Sequence, residues 1–178
     1  MDVYTAISKR YSCRQFNDVA LTAAQVQQLK EAAQAAPTAR NMQELRFSFV
    51  SDRALLQAIS DACISAKPEL SELLASRSAE NIFYGAPTAI IITAKPVKYA
   101  FLDAGIAVQN LALTATAAGL GSCIIGLAAA AFADPEDRTF YRAIGAGEAE
   151  VFQIAIAVGQ AAMTKEPHVA EQEQVRFV

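Results

Sequence analysis

The stretch from Ala100 to Ala118 limits the possible folds more than any other part of the chain. From about Leu102 onward it is apolar on nearly every side of a helix, so it has no face suited to solvent and belongs in the middle of the molecule. Asp103, Gln109 and Asn110 interrupt it. It therefore falls short of the roughly 18 unbroken apolar residues that a membrane span requires. Gly119 comes next as a natural C-cap.

Around such a helix, 178 residues make one domain, residues 1–178, with enough chain to bury most of its apolar surface. No internal repeat, low-complexity tract or linker divides it. The 53% apolar content exceeds what a soluble monomer needs, which suggests that a second subunit covers part of the surface. The charge balance is 15 basic to 18 acidic residues, net −3, without a basic run or an array of stacking aromatics. Nucleic acid is excluded as a partner on that ground. Cys13, Cys63 and Cys123 are widely spaced and His168 is the sole histidine, so neither a zinc set nor a Cys/His catalytic pair is readable. Reduced thiols in a reducing compartment are expected. Met1-Asp2-Val3-Tyr4 lacks the basic-then-apolar order of a secretory leader, and a cytoplasmic protein without membrane association is the expectation.

Helices and strands can be placed from caps and periodicity. Asp2 caps a short helix with Val3, Ala6 and Ile7 on one face. Thr22-Ala23-Ala24-Gln25 has capping-box form and opens a helix to Ala36 with Val26, Leu29, Ala33 and Ala36 inward, ended by Pro37. Arg46 to Val50 reads as a strand, and Asp52 caps a helix carrying Leu55, Leu56, Ile59 and Cys63. Short helical pieces are expected from Pro68 to Gly85, a place suited to a mobile cover. Thr88 to Ala94, with Ile90-Ile91-Ile92, reads as a strand buried on both faces. Ser122 to Ile125 is a short strand, Asp134-Pro135 opens a further helix, and Val151 to Val158 is the last internal strand. The tail from Gln160 lacks helical period yet ends in Val175-Arg176-Phe177-Val178; pairing with a neighbouring subunit is one way to cover such an end. Strands and helices mix without clean βαβ alternation, which favours an α+β sheet wrapped by helices.

Two polar segments stand out. Arg10, Ser12 and Arg14 alternate, so in extended chain they point the same way, offering a hydroxyl and two fork-shaped donors to phosphate oxygens. A solvated charged loop is the other reading, with Tyr11 packed over a ligand or merely on the core. Asn41 and Gln43 lie just past a helix end, where amides either satisfy backbone groups or read the edge of a heterocycle. Gly119-Leu120-Gly121-Ser122-Cys123-Ile124-Ile125-Gly126 has neither dinucleotide nor Walker spacing. A cap and buried strand account for it, except that Gly126, leaving the strand, could let a ligand meet backbone N–H. Lys165 and His168 are isolated in a polar tail. From the residues alone, the reading ends at a binding site for an anionic, planar ligand in an apolar, dimeric domain.

The same segments resemble the nitroreductase family of flavoproteins. Arg10-Tyr11-Ser12-Cys13-Arg14-Gln15-Phe16 stands where that family has Arg-Arg-Ser-x-Arg-x-Phe, and Ala36-Pro37-Thr38-Ala39-Arg40-Asn41-Met42-Gln43 where it has Ala-Pro-Ser/Thr-x-x-Asn-x-Gln. Phe47-Ser48-Phe49-Val50, Gly85-Ala86-Pro87, the run from Leu102 to Leu111, Gly119 to Cys123 and Val158-Gly159 come in the family's order. Tyr11 replaces an arginine, Glu44-Leu45 stands in place of proline and tryptophan, and Ile124 replaces a frequent tryptophan.

The resemblance implies an α+β homodimer, nitroreductase-like, with a central, mostly antiparallel sheet and FMN at the subunit interface. Arg10 and Ser12 would hold the phosphate, completed by Lys165 and His168, with Tyr11 beside them. Arg14 would lie towards the ribityl chain and N1/O2. Pro37, Thr38 and Ala39 would line the flavin from the other subunit, with the amides of Asn41 and Gln43, and the Ile125-Gly126-Leu127 backbone would approach N5. The implied activity is hydride transfer from NADH or NADPH through flavin N5 to an electron-poor small molecule, such as a nitroaromatic or quinone, by ping-pong exchange. A non-catalytic flavin-binding protein, a redox sensor or flavin store, is the alternative.

Overall fold

Ile90-Ile91-Ile92 lies at the centre of a four-stranded sheet. The computed structural model describes residues 1–166 and 175–176. Its strands are β1 (Leu45–Val50), β2 (Thr88–Ala94), β3 (Gly121–Ile125) and β4 (Val151–Gly159), in the order β1-β2-β4-β3. Every pairing is antiparallel. The helices are α1 (Val3–Lys9), α2 (Ala23–Gln34), α3 (Arg53–Ala66), α4 (Glu69–Ser76), α5 (Ala100–Ala117) and α6 (Thr139–Ala143).

Helices cover both faces of the sheet. Side chains alternate across a strand, so Ile90, Ile92, Ile156 and Val158 pack on α2 and α5, while Ala89, Ile91, Ala155 and Ala157 face α3, α4 and the 3-10 turn Gly126–Phe132. That explains the apolar run of β2 without a parallel sheet: it is a central antiparallel strand with a helical layer on either side. β4 shares its position, and Ala155 to Gly159 are all buried.

Local signals hold where expected. Asp2 accepts from the Thr5 N–H, the Thr22–Gln25 capping box is complete in both directions, and Asp52 accepts from the Ala54 and Leu55 N–H groups. Gly119, at φ +74°, turns the chain from α5 into β3. No helix of the described residues is long and apolar enough to cross a membrane.

Four expectations need correction. Residues 134–138 form no helix: Asp134 accepts from the Glu136 N–H instead, a local turn that competes with helix initiation, and α6 begins only at Thr139. Residues 68–85 are no cover, because Leu70, Leu74, Ile82 and Phe83 are buried in the core beside α3. α2 ends at Gln34 rather than Ala36, and its Val26 is exposed. Lastly, Val3 and Ile7 share a face of α1 that this chain leaves open, with only Ala6 buried.

Close packing has consequences for stability and reactivity. A Cβ at Gly159 would stand 2.4 Å from Pro87 Cδ and 3.1 Å from Phe16 Cδ1. Gly159→Ala is therefore expected to cost about 2–3 kcal/mol, read as a lowered denaturation midpoint; an unchanged midpoint would contradict this packing. Cys13, Cys63 and Cys123 are free and buried, and burial pushes each thiol above its ordinary range. A thiolate-specific reagent at neutral pH should leave all of them unmodified until the protein is unfolded.

Candidate functional site

The chain leaving α1 runs extended because both of its edges are paired. Cys13 donates its N–H to the Ser122 carbonyl at 2.8 Å, and Ser12 bridges Ser122 in parallel register. On the other side, Ala162 donates to the Gln15 carbonyl at 2.9 Å and Asn17 to that of Gln160 at 2.9 Å. The loop is thus laced between β3 and the start of the tail. Gly121 is required here: a Cβ on it would meet Cys13 Cβ and Sγ at 2.9 Å.

Extended backbone puts Arg10, Ser12 and Arg14 in the alternating row that the spacing predicted. All are half-buried. Among the described residues no carboxylate forms an ion pair with Arg10 or Arg14. The Nε of Arg14 is buried without a hydrogen-bond partner among those residues, and a buried guanidinium N–H left unpaired is costly. An acceptor supplied by a ligand removes that cost.

Tyr11 takes a supporting position. Its hydroxyl donates to the Met163 carbonyl at 2.6 Å, while the Arg14 N–H meets Met163 Sδ at 3.3 Å. These contacts tie down the segment that leads to Lys165, which is exposed. His168 lies outside the described residues. Cys123 sits behind the row. Burial holds its thiol above the ordinary range, against smaller downward pulls from the charges of Arg14 and Arg77.

Arg77 is the cation that sequence reasoning missed. It donates to the hydroxyl of buried Tyr84, and its charge, like that of Arg14, acts on the Cys123 thiol. Nothing in its local sequence signals this, since a lone arginine after a short helix acquires neighbours only through packing.

β3 carries the row's line onward. Ile125 is buried and ends the strand, Leu127 is half-buried, and Gly126 is exposed. Among the described residues, a Cβ at Gly126 would meet Ile154 Cδ1 alone, at 3.9 Å. Room therefore remains for a ligand beside this backbone.

The second segment lies elsewhere. Pro37 to Gln43 forms a tight turn before β1, with Arg40, Asn41 and Gln43 at φ 54°, 55° and 51°. Left-handed backbone is uncommon outside glycine, though asparagine tolerates it. Thr38 Oγ1 accepts from the Gln43 N–H at 3.0 Å, and Gln43 Nε2 donates to Asn41 Oδ1 at 2.9 Å. The two amides thus hold each other at an exposed edge, with Asn41 Nδ2 and Gln43 Oε1 outside that bond. A cleft of about 500 Å³ adjoins this turn, lined by Lys30, Thr38, Gln43, Arg46, Phe47 and Phe49 among others. It does not include the arginine row.

One chain cannot offer both segments to one small ligand. β1 and β3 are opposite edges of the sheet, about 14 Å apart at the usual strand spacing. The turn enters at the Leu45/Ala94/Val151 end, whereas Ser12 bridges at the Gly121/Gly159 end. The 18 residues of α5 link these corners, roughly 27 Å of helix. The arginine row and the amide turn are diagonally opposed.

Exposed apolar residues mark where another surface belongs. Tyr4, Phe101 and Leu102 are 85%, 71% and 61% exposed. Tyr4 lies on α1, and Phe101 and Leu102 lie together on the first turn of α5. Neighbouring exposed apolar side chains of this size are a common feature of association surfaces.

The family model described as "Nitroreductase family" matches residues 7–160. Among solved structures, a nitroreductase with bound FMN from Desulfitobacterium hafniense is 30% identical, with TM-score 0.92, over 100% of this chain and 99% of that one. A nitroreductase with bound FMN from Bacteroides fragilis is 23% identical, with TM-score 0.86, over 100% and 99%. The FMN- and NADPH-dependent nitroreductase NfnB from Sphigopyxis sp. strain HMH is 20% identical, with TM-score 0.78, over 100% and 99%. Comparison with curated proteins finds no match.

Proposed function

Because the chain belongs to the nitroreductase family, we propose that it is a cytoplasmic, homodimeric FMN-dependent oxidoreductase. It carries a hydride from NADH or NADPH to an electron-poor small molecule, a nitroaromatic or quinone, by ping-pong exchange. The observation that carries this reading is the row of Arg10, Ser12 and Arg14 with its buried, unpartnered Arg14 Nε. Two guanidinium forks and a hydroxyl suit a phosphoester joined to a polar chain and ring. FMN, when bound, supplies hydride acceptance and donation at N5.

The protein's own groups position and tune that cofactor. Arg10 and Ser12 hold the phosphate, with exposed Lys165 and His168 completing the site from the tail that Tyr11 anchors. Arg14 faces the ribityl chain and the N1/O2 side of the ring, where its charge favours developing negative charge in a partly dry site. The backbone of Ile125, Gly126 and Leu127 lies towards N5, where the open side of Gly126 leaves space for it. Pro37, Thr38, Ala39, Asn41 and Gln43 come from the second copy, since the diagonal separation keeps them from the row of their own chain. Apposed copies also exclude water from the ring and cover Phe101 and Leu102.

The test is anaerobic stopped-flow mixing of the yellow protein with NADH and with NADPH. Bleaching of the flavin at about 1 s⁻¹ or faster, within the ordinary range of turnover, is expected with at least one of them. Bound flavin that neither nicotinamide bleaches identifies a sensor or store instead. Protein that stays colourless after FMN addition overturns the flavin assignment itself.

A further inference from the structure

We propose that Asp103 is a positioning residue that couples subunit association to the shape of the turn at residues 38–43, and thereby, on the flavin reading above, to cofactor binding. That turn is conformationally uphill, with Arg40, Asn41 and Gln43 all in the left-handed region. Most of its restraints are local: Thr38 Oγ1 accepts the Gln43 N–H at 3.0 Å, Arg46 donates to the Gln43 carbonyl at 3.0 Å, and the Asn41 N–H donates to the Thr38 carbonyl at 2.9 Å. One comes from α5. The Ala39 N–H is shared between the Asp103 carboxylate oxygens, at 3.2 and 3.0 Å, across 64 positions of sequence.

Asp103 is 7% exposed and stands in the first turn of α5. The helix N-terminus favours a carboxylate there, but the donor aimed at it from another element is that of the turn. Moving the carboxylate releases Ala39, and the strained residues after it lose their link to the core. Phe101 and Leu102 lie immediately before Asp103 in the same helical turn and are largely exposed. A second copy seated on them holds that helical turn in place. Asp103 passes the restraint to Ala39, so the amides of Asn41 and Gln43 are set for a ligand in the associated protein.

Amide hydrogen exchange and FMN titration of the full-length wild type, Asp103→Ala and Asp103→Asn test this. Wild-type protection at residues 39–43 should rise with protein concentration through the association range. Asp103→Ala should lower that protection and weaken FMN binding by roughly tenfold to a hundredfold, the effect of losing a hydrogen bond to a charged group, while protection in β2 stays as it was. The visible circular dichroism of bound FMN should change in parallel. Asp103→Asn, whose amide oxygen still accepts from Ala39, should recover part of each effect. Unchanged protection at Ala39 in both variants, or protection indifferent to association in the wild type, overturns the proposal. Should Asp103→Ala fail to fold, the near-isosteric Asp103→Asn decides on the same readouts. A wild type that binds no FMN removes the flavin reading alone, because hydrogen exchange still judges Asp103.

Discussion

Replacing Phe101 and Leu102 together by lysine is expected to yield a folded monomer that no longer retains FMN. Both side chains are mostly exposed within one chain, so its core does not depend on them. Burying such a residue contributes about 1.5–3 kcal/mol, and in a two-fold interface each substitution acts twice. The combined loss of roughly 6–12 kcal/mol corresponds to a dissociation constant raised by at least about 10⁴-fold, before the cost of apposing four ammonium groups. Light scattering should report the monomer, with a denaturation midpoint unlike that of a disrupted core. Flavin is lost because the arginine row and the amide turn sit at opposite corners of the sheet. A doubly substituted protein that remains a yellow dimer would place the association face elsewhere.

The second large effect is expected at Arg14. Arg14→Ala should slow reduction by the nicotinamide roughly a hundredfold, the scale of removing one preorganised donor from a developing negative charge. FMN retention should fall by far less, since on the proposed reading Arg10 and Ser12 still hold the phosphate. Arg14→Lys keeps the charge but not the planar fork, so it should recover part of the rate. The measurement is single-turnover bleaching beside an equilibrium FMN titration of the same variants. Equal losses in both would make Arg14 a binding residue only.

Much of the frame was legible because the signals were local. Asp2, the Thr22–Gln25 capping box and Asp52 mark their helices by hydrogen bonds within a few residues, and each is made. The isoleucines of β2 announced the centre of the molecule because neither face of that strand suits water; α5, expected there too, covers one face of the sheet and leaves Phe101, Leu102, Gly105 and Gln109 exposed. Asp134-Pro135 misled because aspartate before proline serves a turn as well as a helix start, and the residues beyond the proline decide between them. Residues 68–85 misled for another reason. Their short helix looked detachable, yet Ile82 and Phe83 are core, and burial by a distant partner leaves no periodic mark.

The candidate site divides in the same way. The alternation of Arg10, Ser12 and Arg14 and the donor chemistry of Asn41 and Gln43 belong to the sequence, as do the apolar excess and the spacing that resembles the family. Tertiary structure decided what these residues face. Pairing with β3 and the tail fixed the extended course of the segment that carries Arg10, Ser12 and Arg14. The sheet order set the two polar segments diagonally apart. A contact between Ala39 and Asp103, 64 residues distant, has no local signature, because side-chain type and spacing are properties of the chain whereas nearness across the fold depends on how every layer packs.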